Sequence, residues 1–223
     1  MNAVDILHDD VNTVNMPPMP PATTPTTTQR YHHGDLAEAL VGAGHAACRT
    51  AGPGGLVIRD LAAHCGVSPA AAYRHFASID HLRAAVSQRA REDLARHMLD
   101  AHAASSSGRS APERARWRFR AIGEGYVRFA LAEPQLFATA FTACSASPTR
   151  PDEPSAWQVL VDAVDELVAT GAMPTERREA APWIAWSAVH GLASILVESV
   201  MPEPGHVDRL LDDVLNGVER ALA

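Results

Sequence analysis

Hydrophobic residues recur through most of the chain at the i, i+3, i+4 spacing that places them on one side of an α-helix. Over residues 35–51, Leu36, Leu40, Ala43, Ala47 and Cys48 form such a stripe, and Gly52-Pro53-Gly54-Gly55 stops it. Ile58, Leu61, Ala62 and Cys65 form a second, shorter stripe, with Arg59, Asp60 and His64 turned toward water. Gly66 tolerates the left-handed backbone that closes a helix, and Val67 packs under the corner. Ser68 followed by Pro69 is an N-cap with proline in the first helical turn. A third helix must start there. Ala72 and Phe76 give it an inward edge, while Ala70, Ala71, Tyr73, Arg74 and His75 remain outside. Two helices this short, joined by this turn, predict a helix-turn-helix braced by the helix before it.

A fourth stripe runs from Ser78, its expected N-cap, through Leu82, Val86, Leu94 and Met98 to about Ala104, a helix long enough to serve two bodies at once. Residues 105–108 and 145–154 read as loops. Between them, helices are expected over 112–131 and from Glu133-Pro134 through Leu136, Phe137, Ala140 and Phe141. Another follows over 157–169, where Trp157, Leu160, Val161, Val164 and Leu167 align ahead of Gly171.

The segment from residue 176 or 177 to 200 is apolar on two sides. Ile184, Ala188, Leu192 and Ile195 lie on one, and Trp183, Trp186, His190, Ala193 and Val197 on another. Such a helix must be covered twice. The last stripe, Val207, Leu210, Leu211, Val214, Leu215, Val218 and Leu222, is one-sided. These two helices are expected to pair with their copies across a two-fold axis, with Ile184, Ala188, Leu192, Ile195, Leu211 and Leu215 in a four-helix dimer interface.

The predicted fold class is therefore all-α. A three-helix domain over residues 30–80 precedes a helical bundle for ligand binding and dimerisation over 81–223. Residues 1–29 carry the run MPPMPPATTPTTT with no stripe and form a polar arm.

The outer face of the third helix decides what the helix pair can do. Ala70 and Ala71, just after Ser68 and Pro69, leave its start slim enough for a major groove about 12 Å wide, where a methyl group can meet a thymine methyl. Tyr73, Arg74 and His75 can donate to phosphates, which fixes register without reading bases. Arg30, where the arm meets the first helix, is placed either to reach a minor groove or simply to be solvated. His33, beside His32, is either a phosphate donor or an ordinary residue at a helix boundary. The alternatives are a helix-turn-helix used for protein contacts and an all-α enzyme.

The run RDLAAHCGVSPAAAYRHF, followed by Ser78 and Leu82, resembles the DNA-binding domain of tetracycline-repressor (TetR) type regulators over about residues 30–95. Tyr31-His32-His33-Gly34-Asp35-Leu36 resembles an opening found in one branch of these regulators. That branch also carries a C-terminal helix with Trp and Val-His-Gly, here Trp186 and Val189-His190-Gly191. The resemblance implies a homodimeric repressor whose N-terminal domains bind a palindromic operator, with a small-molecule pocket in the C-terminal domain whose occupancy weakens DNA binding. The chain leaves the family pattern at two positions. A Thr or Ser usually caps the first helix of the pair and a Lys opens the helix after it, both commonly touching phosphate; here these are Val57 and Ile79. The backbone contacts then shift to Ser68, Tyr73, Arg74, His75 and His33.

A net charge of −7 is unusual for a DNA binder until it is divided by region. Residues 30–96 hold eight arginines against six acids, +2, and the remainder carries −9. All 19 basic residues are arginine, a genome-wide composition effect rather than selection for phosphate.

Cys48, Cys65 and Cys144 are odd in number and spaced unlike any metal site, which fits buried thiols in a reducing cytoplasm. Asp5, Asp9 and Asp10 interrupt any secretory leader, and the longest uncharged run, 180–197, contains Pro182 and His190, so a buried helix is expected there rather than a membrane span. With no HExxH, nucleophile elbow, phosphate loop or paired-carboxylate motif, neither catalysis nor a cofactor nor a metal is expected.

The aromatic residues concentrate in the C-terminal part. Phe137, Phe141, Trp157, Trp183, Trp186 and His190 can line a pocket for a small hydrophobic effector, or they can be core. His190, inside an uncharged helix, needs a partner that is either protein or ligand.

Overall fold

Each stripe becomes a helix whose ends are set by caps and prolines. A computed structural model describes residues 33–103, 109–142, 154–198 and 206–223, with side chains from Leu36 onward. The arm, Arg30, His32, Cys144, residues 105–108 and 145–153, and the expected end of the two-sided helix at 200 lie outside them.

Among the described residues are nine α-helices: α1 His33–Ala51, α2 Ile58–His64, α3 Pro69–His75, α4 Ile79–Ala103, α5 Ala111–Ala132, α6 Pro134–Ala140, α7 Ala156–Ala169, α8 Ala181–Val197 and α9 Val207–Leu222. Two 3-10 turns, Gly52–Gly55 and Thr175–Arg177, complete them, and no strand occurs among the described residues. None of these helices is long and apolar enough to cross a membrane.

The turn chemistry is as the sequence reads. Gly66 sits at φ +69° and closes α2, and Ser68 Oγ accepts from Ala71 N at 3.2 Å to cap α3. Gly171, at φ +70°, closes α7, and Ser155 caps its start by accepting from Gln158 N at 3.1 Å. Proline stands in the first turn of α3, α5, α6 and α8, where its missing N–H costs nothing.

One boundary differs from expectation. The two-sided helix begins at Ala181, not at 176 or 177, because Pro182 has no N–H for an intrahelical bond and so fits only the first turn. Residues 175–177 instead make the separate 3-10 turn. Phe141 also falls just outside α6, as its C-cap residue.

Helix α5 is the hub, packed against α4, α6, α7, α8 and α9, and α4 packs against α1 as well as α5, α6 and α7. Residues 31–223 accordingly form one compact unit, with α4 serving both the helix-turn-helix and the bundle. The crossing of α4 and α5 is close at Gly125, where an added Cβ would lie 2.9 Å from Ala101 Cβ and 3.1 Å from the His97 carbonyl oxygen.

In α9 the stripe Leu211, Leu215, Val218 and Leu222 is buried within the single chain, each side chain contributing about 1.5–3 kcal/mol. Leu211 and Leu215, expected at a dimer interface, are thus already covered within the single chain. Leu192 is also buried inside the chain. It lies about 80° round α8 from Ile184, whereas Ala188, Gly191 and Ile195 lie within about 40°. The outer face of α8 is thus Ile184, Ala188, Gly191 and Ile195, with Ile195 47% exposed.

Gly125→Ala pushes a methyl group against backbone that cannot turn aside, so the variant is expected to lose about 1–3 kcal/mol of stability, read as a lower denaturant midpoint at unchanged slope.

Candidate DNA-binding surface and ligand site

Helix α3 is seven residues long and spans roughly 10 Å, so only about two turns can meet a partner. Pro69, Ala70, Tyr73 and Arg74 are exposed on it, Ala71 and His75 are half-buried, and Ala72 is fully buried against the core. Ala71 thus contributes less to the outer surface than its place in the sequence suggests, because it packs against the core. Ser68 spends an oxygen lone pair on the cap and keeps its O–H available for donation.

Both departures from the family pattern are visible. Val57 is the N-cap residue of α2, is exposed and makes no capping hydrogen bond, and Ile79 opens α4 half-buried against the core. Ser78 Oγ lies 3.4 Å from His81 N and 2.9 Å from His81 Nδ1, so the start of α4 is capped by a serine–histidine pair. His33 is the first residue of α1, and its side chain lies outside the described set.

The second concentration of chemistry is aromatic. All six residues expected to line a pocket come together, from α6, α7 and α8. Phe137 and Phe141 are 5.1 Å apart between ring centroids, and Phe141 and His190 are 4.8 Å apart. Trp186 and His190, one turn apart on α8, hold nearly parallel planes at 6.1 Å. Trp157 joins Trp186 at 5.7 Å and Trp183 at 4.6 Å, which carries the cluster outward to a tryptophan that is 63% exposed.

Tyr126 of α5, absent from the sequence-derived site, sits at the centre. Its ring is 5.3 Å from Trp186 and 5.8 Å from Phe137, and its hydroxyl is 2.7 Å from His190 Nδ1. The available signal was a phenol on the buried stripe of a helix, since a buried hydroxyl requires a partner. Burial pushes the Tyr126 phenol far above its ordinary pKa and lowers that of His190, so both are neutral near pH 7. Behind the cluster lies an apolar cavity of about 20 Å³, lined by Met98, Ile122, Tyr126, Trp186 and Val189 among others, with room for no more than a water. No group of three or more potential metal ligands occurs among the described residues.

The helix-turn-helix and the bundle each match a family model. Residues 41–86 match the bacterial regulatory proteins of the tetR family, and residues 119–218 match the tetracyclin repressor-like C-terminal domain.

The chain belongs to the TetR family.

Among solved structures, a protein of unknown function from Rhodococcus sp. RHA1 is 27% identical with a TM-score of 0.70, over 87% of this chain and 99% of that one. A TetR transcriptional regulator from Streptomyces coelicolor shares the fold at 19% identity and a TM-score of 0.55, over 83% of this chain and 94% of that one. A TetR variant from Acinetobacter baumannii AYE, solved in complex with minocycline, shares it at 16% identity and a TM-score of 0.55, over 87% and 99%. No curated protein matches. As a TetR-family transcriptional regulator the chain is a DNA-binding protein, not an enzyme.

The missing cation at the start of α4 gives a direct test of the TetR surface. Ile79→Lys keeps an apolar stem against the core and extends an ammonium from it, adding one phosphate contact. With a random duplex, the slope of log K against log salt should steepen by about 0.9, with little change in sequence preference. Titrations by fluorescence anisotropy at several salt concentrations read it, and an unchanged slope in a folded variant places residue 79 away from the DNA backbone.

Proposed function

We propose that this TetR-family regulator is a homodimeric repressor. Its DNA-binding domain, residues 30–80, engages a palindromic operator in the cytoplasm, and the helical domain, residues 81–223, dimerises and binds a small hydrophobic effector that releases the DNA. At the operator, Ser68, Pro69, Ala70 and Ala71 meet the groove while Tyr73, Arg74, His75, Arg30 and His33 take the backbone. The effector is held by the aromatic cluster, with Tyr126 added to the six residues expected from sequence. The solved relative that holds minocycline lends the small-molecule reading support through the shared fold.

The observation that carries this reading is the way α6 is fastened at both ends. Its C-terminal Ala140 carbonyl accepts from Ser87 Oγ at 3.1 Å and from Arg91 Nη1 at 2.8 Å, both on α4. At its other end Glu133, the N-cap residue of α6, accepts from Arg49 Nε of α1 at 3.0 Å, while the buried Cys48 thiol of α1 hydrogen-bonds with Thr139, next to Ala140. Phe137 and Phe141, on the same short element, touch His190 and Tyr126.

A ligand that spreads these rings displaces α6, and the displacement reaches α1 and α4, which carry the helix-turn-helix. Farther along, α1 and α4 are tied directly. His45 Nε2 lies 2.7 Å from Asp93, and Arg89 pairs with Glu38 at 2.8 Å. Burial alone would raise the Asp93 carboxyl, but His45 and Arg96 outweigh it and hold its pKa below the usual range. A shift of α4 is thus passed to α1 rather than absorbed between them.

Dimerisation is supported by the outer face of α8, where Ile195 is exposed and Ile184, Ala188 and Gly191 are only half-covered within the chain. Half-buried Leu210 and Val214 extend that apolar area along α9.

Two outcomes test the proposal. Ala188→Glu with Ile195→Glu should sediment as a folded monomer and bind DNA much more weakly. Unlike Leu211 or Leu215, these positions leave the core intact, so a persistent dimer would place the interface elsewhere. Sites selected from a random duplex library should be two-fold symmetric, with half-site centres about one helical turn apart or a multiple of it.

A further inference from the structure

The hydrogen bond between Tyr126 and His190 has a definite sense. Tyr126 is fully buried, and no described group other than His190 Nδ1, at 2.7 Å, can accept its proton. If Nδ1 carried a proton of its own, the phenol O–H would be buried without an acceptor, a loss that a simple change of tautomer avoids. The phenol therefore donates, Nδ1 accepts, and the neutral imidazole keeps its proton on Nε2. No described residue accepts from Nε2, and the ring is only half-buried.

Around that N–H the walls are rings: Phe141 at 4.8 Å, Phe137 at 5.7 Å and Trp186 at 6.1 Å from the imidazole. No acid or cation belongs to the cluster. The cavity behind Tyr126 and Trp186 is too small for a ligand, so the accessible side is the outer one, where Trp183 is 63% and Phe141 37% exposed.

We infer that His190 offers its Nε2–H as the single polar recognition point of this site, and that the effector is an uncharged planar aromatic compound carrying a hydrogen-bond acceptor oxygen, such as a carbonyl. This rests on the reading of the aromatic cluster as the effector site. Tyr126 acts as a positioning residue, since it holds the tautomer without touching the ligand oxygen. A cationic ligand is disfavoured because it would meet a donor and find no counter-charge, and an apolar ligand of the same shape leaves the N–H unpaired.

Calorimetric titration of the full-length protein with three matched probes tests this: 2-acetylnaphthalene, which has the acceptor, 2-ethylnaphthalene, which lacks it, and 2-naphthylmethylammonium, which carries a charge. In the unmodified protein the ketone should bind about tenfold more tightly than the ethyl compound, the size of one added hydrogen bond. The ammonium should bind more weakly than either. Tyr126→Phe with His190→Phe removes both partners of the hydrogen bond and leaves no orphaned phenol. Whatever its affinity for the ethyl compound, it should show a preference for the ketone of no more than about twofold.

A ketone preference that survives in the double variant, or no preference in the unmodified protein, overturns the inference and leaves the cluster as the effector site. Failure of all three probes to bind the unmodified protein overturns that underlying reading and the inference with it. If the double variant does not fold, nitrogen-15 spectra of the histidine side chains decide the matter, with the His190 signals expected to show protonated Nε2 and bare Nδ1. The reverse pattern overturns the inference.

Discussion

The carbonyl of Ala140 is the point on which the arrangement of the molecule turns. A helix leaves its last carbonyls without partners inside the helix, and one of seven residues is too short to be stable on its own. Helix α6 is therefore held by what grips its ends. Arg91 and Ser87 supply two donors to that carbonyl, and the guanidinium also complements the negative end of the helix. The opposite end leans on α1 through Glu133 and Arg49, a pair partly open to solvent and so worth less than about 1 kcal/mol. The two grips are unequal. A disturbance of α6 meets most resistance at α4 and least at α1, and α4 is the helix that continues into the DNA-reading end.

This economy explains why two kinds of chemistry coexist in a chain of modest size. The DNA-facing side is made of small and hydrogen-bonding groups on about two turns of helix, supported by Ala72 and Phe76 beneath them. The bundle is acidic and aromatic. A net negative charge concentrated outside residues 30–96 keeps the larger body from adhering to a duplex, so contact is confined to the helix-turn-helix end. With Val57 and Ile79 in place of hydrogen-bonding or charged residues, that end has two fewer backbone contacts than its family pattern provides.

The aromatic cluster shows how one polar pair can define an apolar site. Rings alone recognise shape and area with little regard to functional groups. A donor whose tautomer is held by a buried phenol adds one directional requirement, at the cost of keeping two polar groups among the rings of Phe137, Phe141 and Trp186. Tyr126 satisfies the imidazole at Nδ1, and among the described residues nothing accepts from Nε2.

The features legible in the sequence were those governed by neighbours in the chain. Gly66, Ser68 and Pro69 dictate a turn and a cap wherever they occur together, and they did so at φ +69° and 3.2 Å. Periodic apolar residues specify helices, and Phe137, Phe141, Trp157, Trp183, Trp186 and His190 cluster where those helices pack together.

What the stripes could not reveal was which apolar side meets the chain itself and which is left open. Leu192, Leu211 and Leu215 have the same chemistry as Ile184 and Ile195, and only the packing of α9 on α5 and α8 sends the first three inward. The start of α8 at Ala181 was readable from Pro182, whose missing N–H fits only the first turn of a helix. The bonds of Tyr126 to His190 and of Arg91 to Ala140 join residues 64 and 49 positions apart. Chain-local patterns carry no information about such partners; the tertiary fold alone brings them within 3 Å.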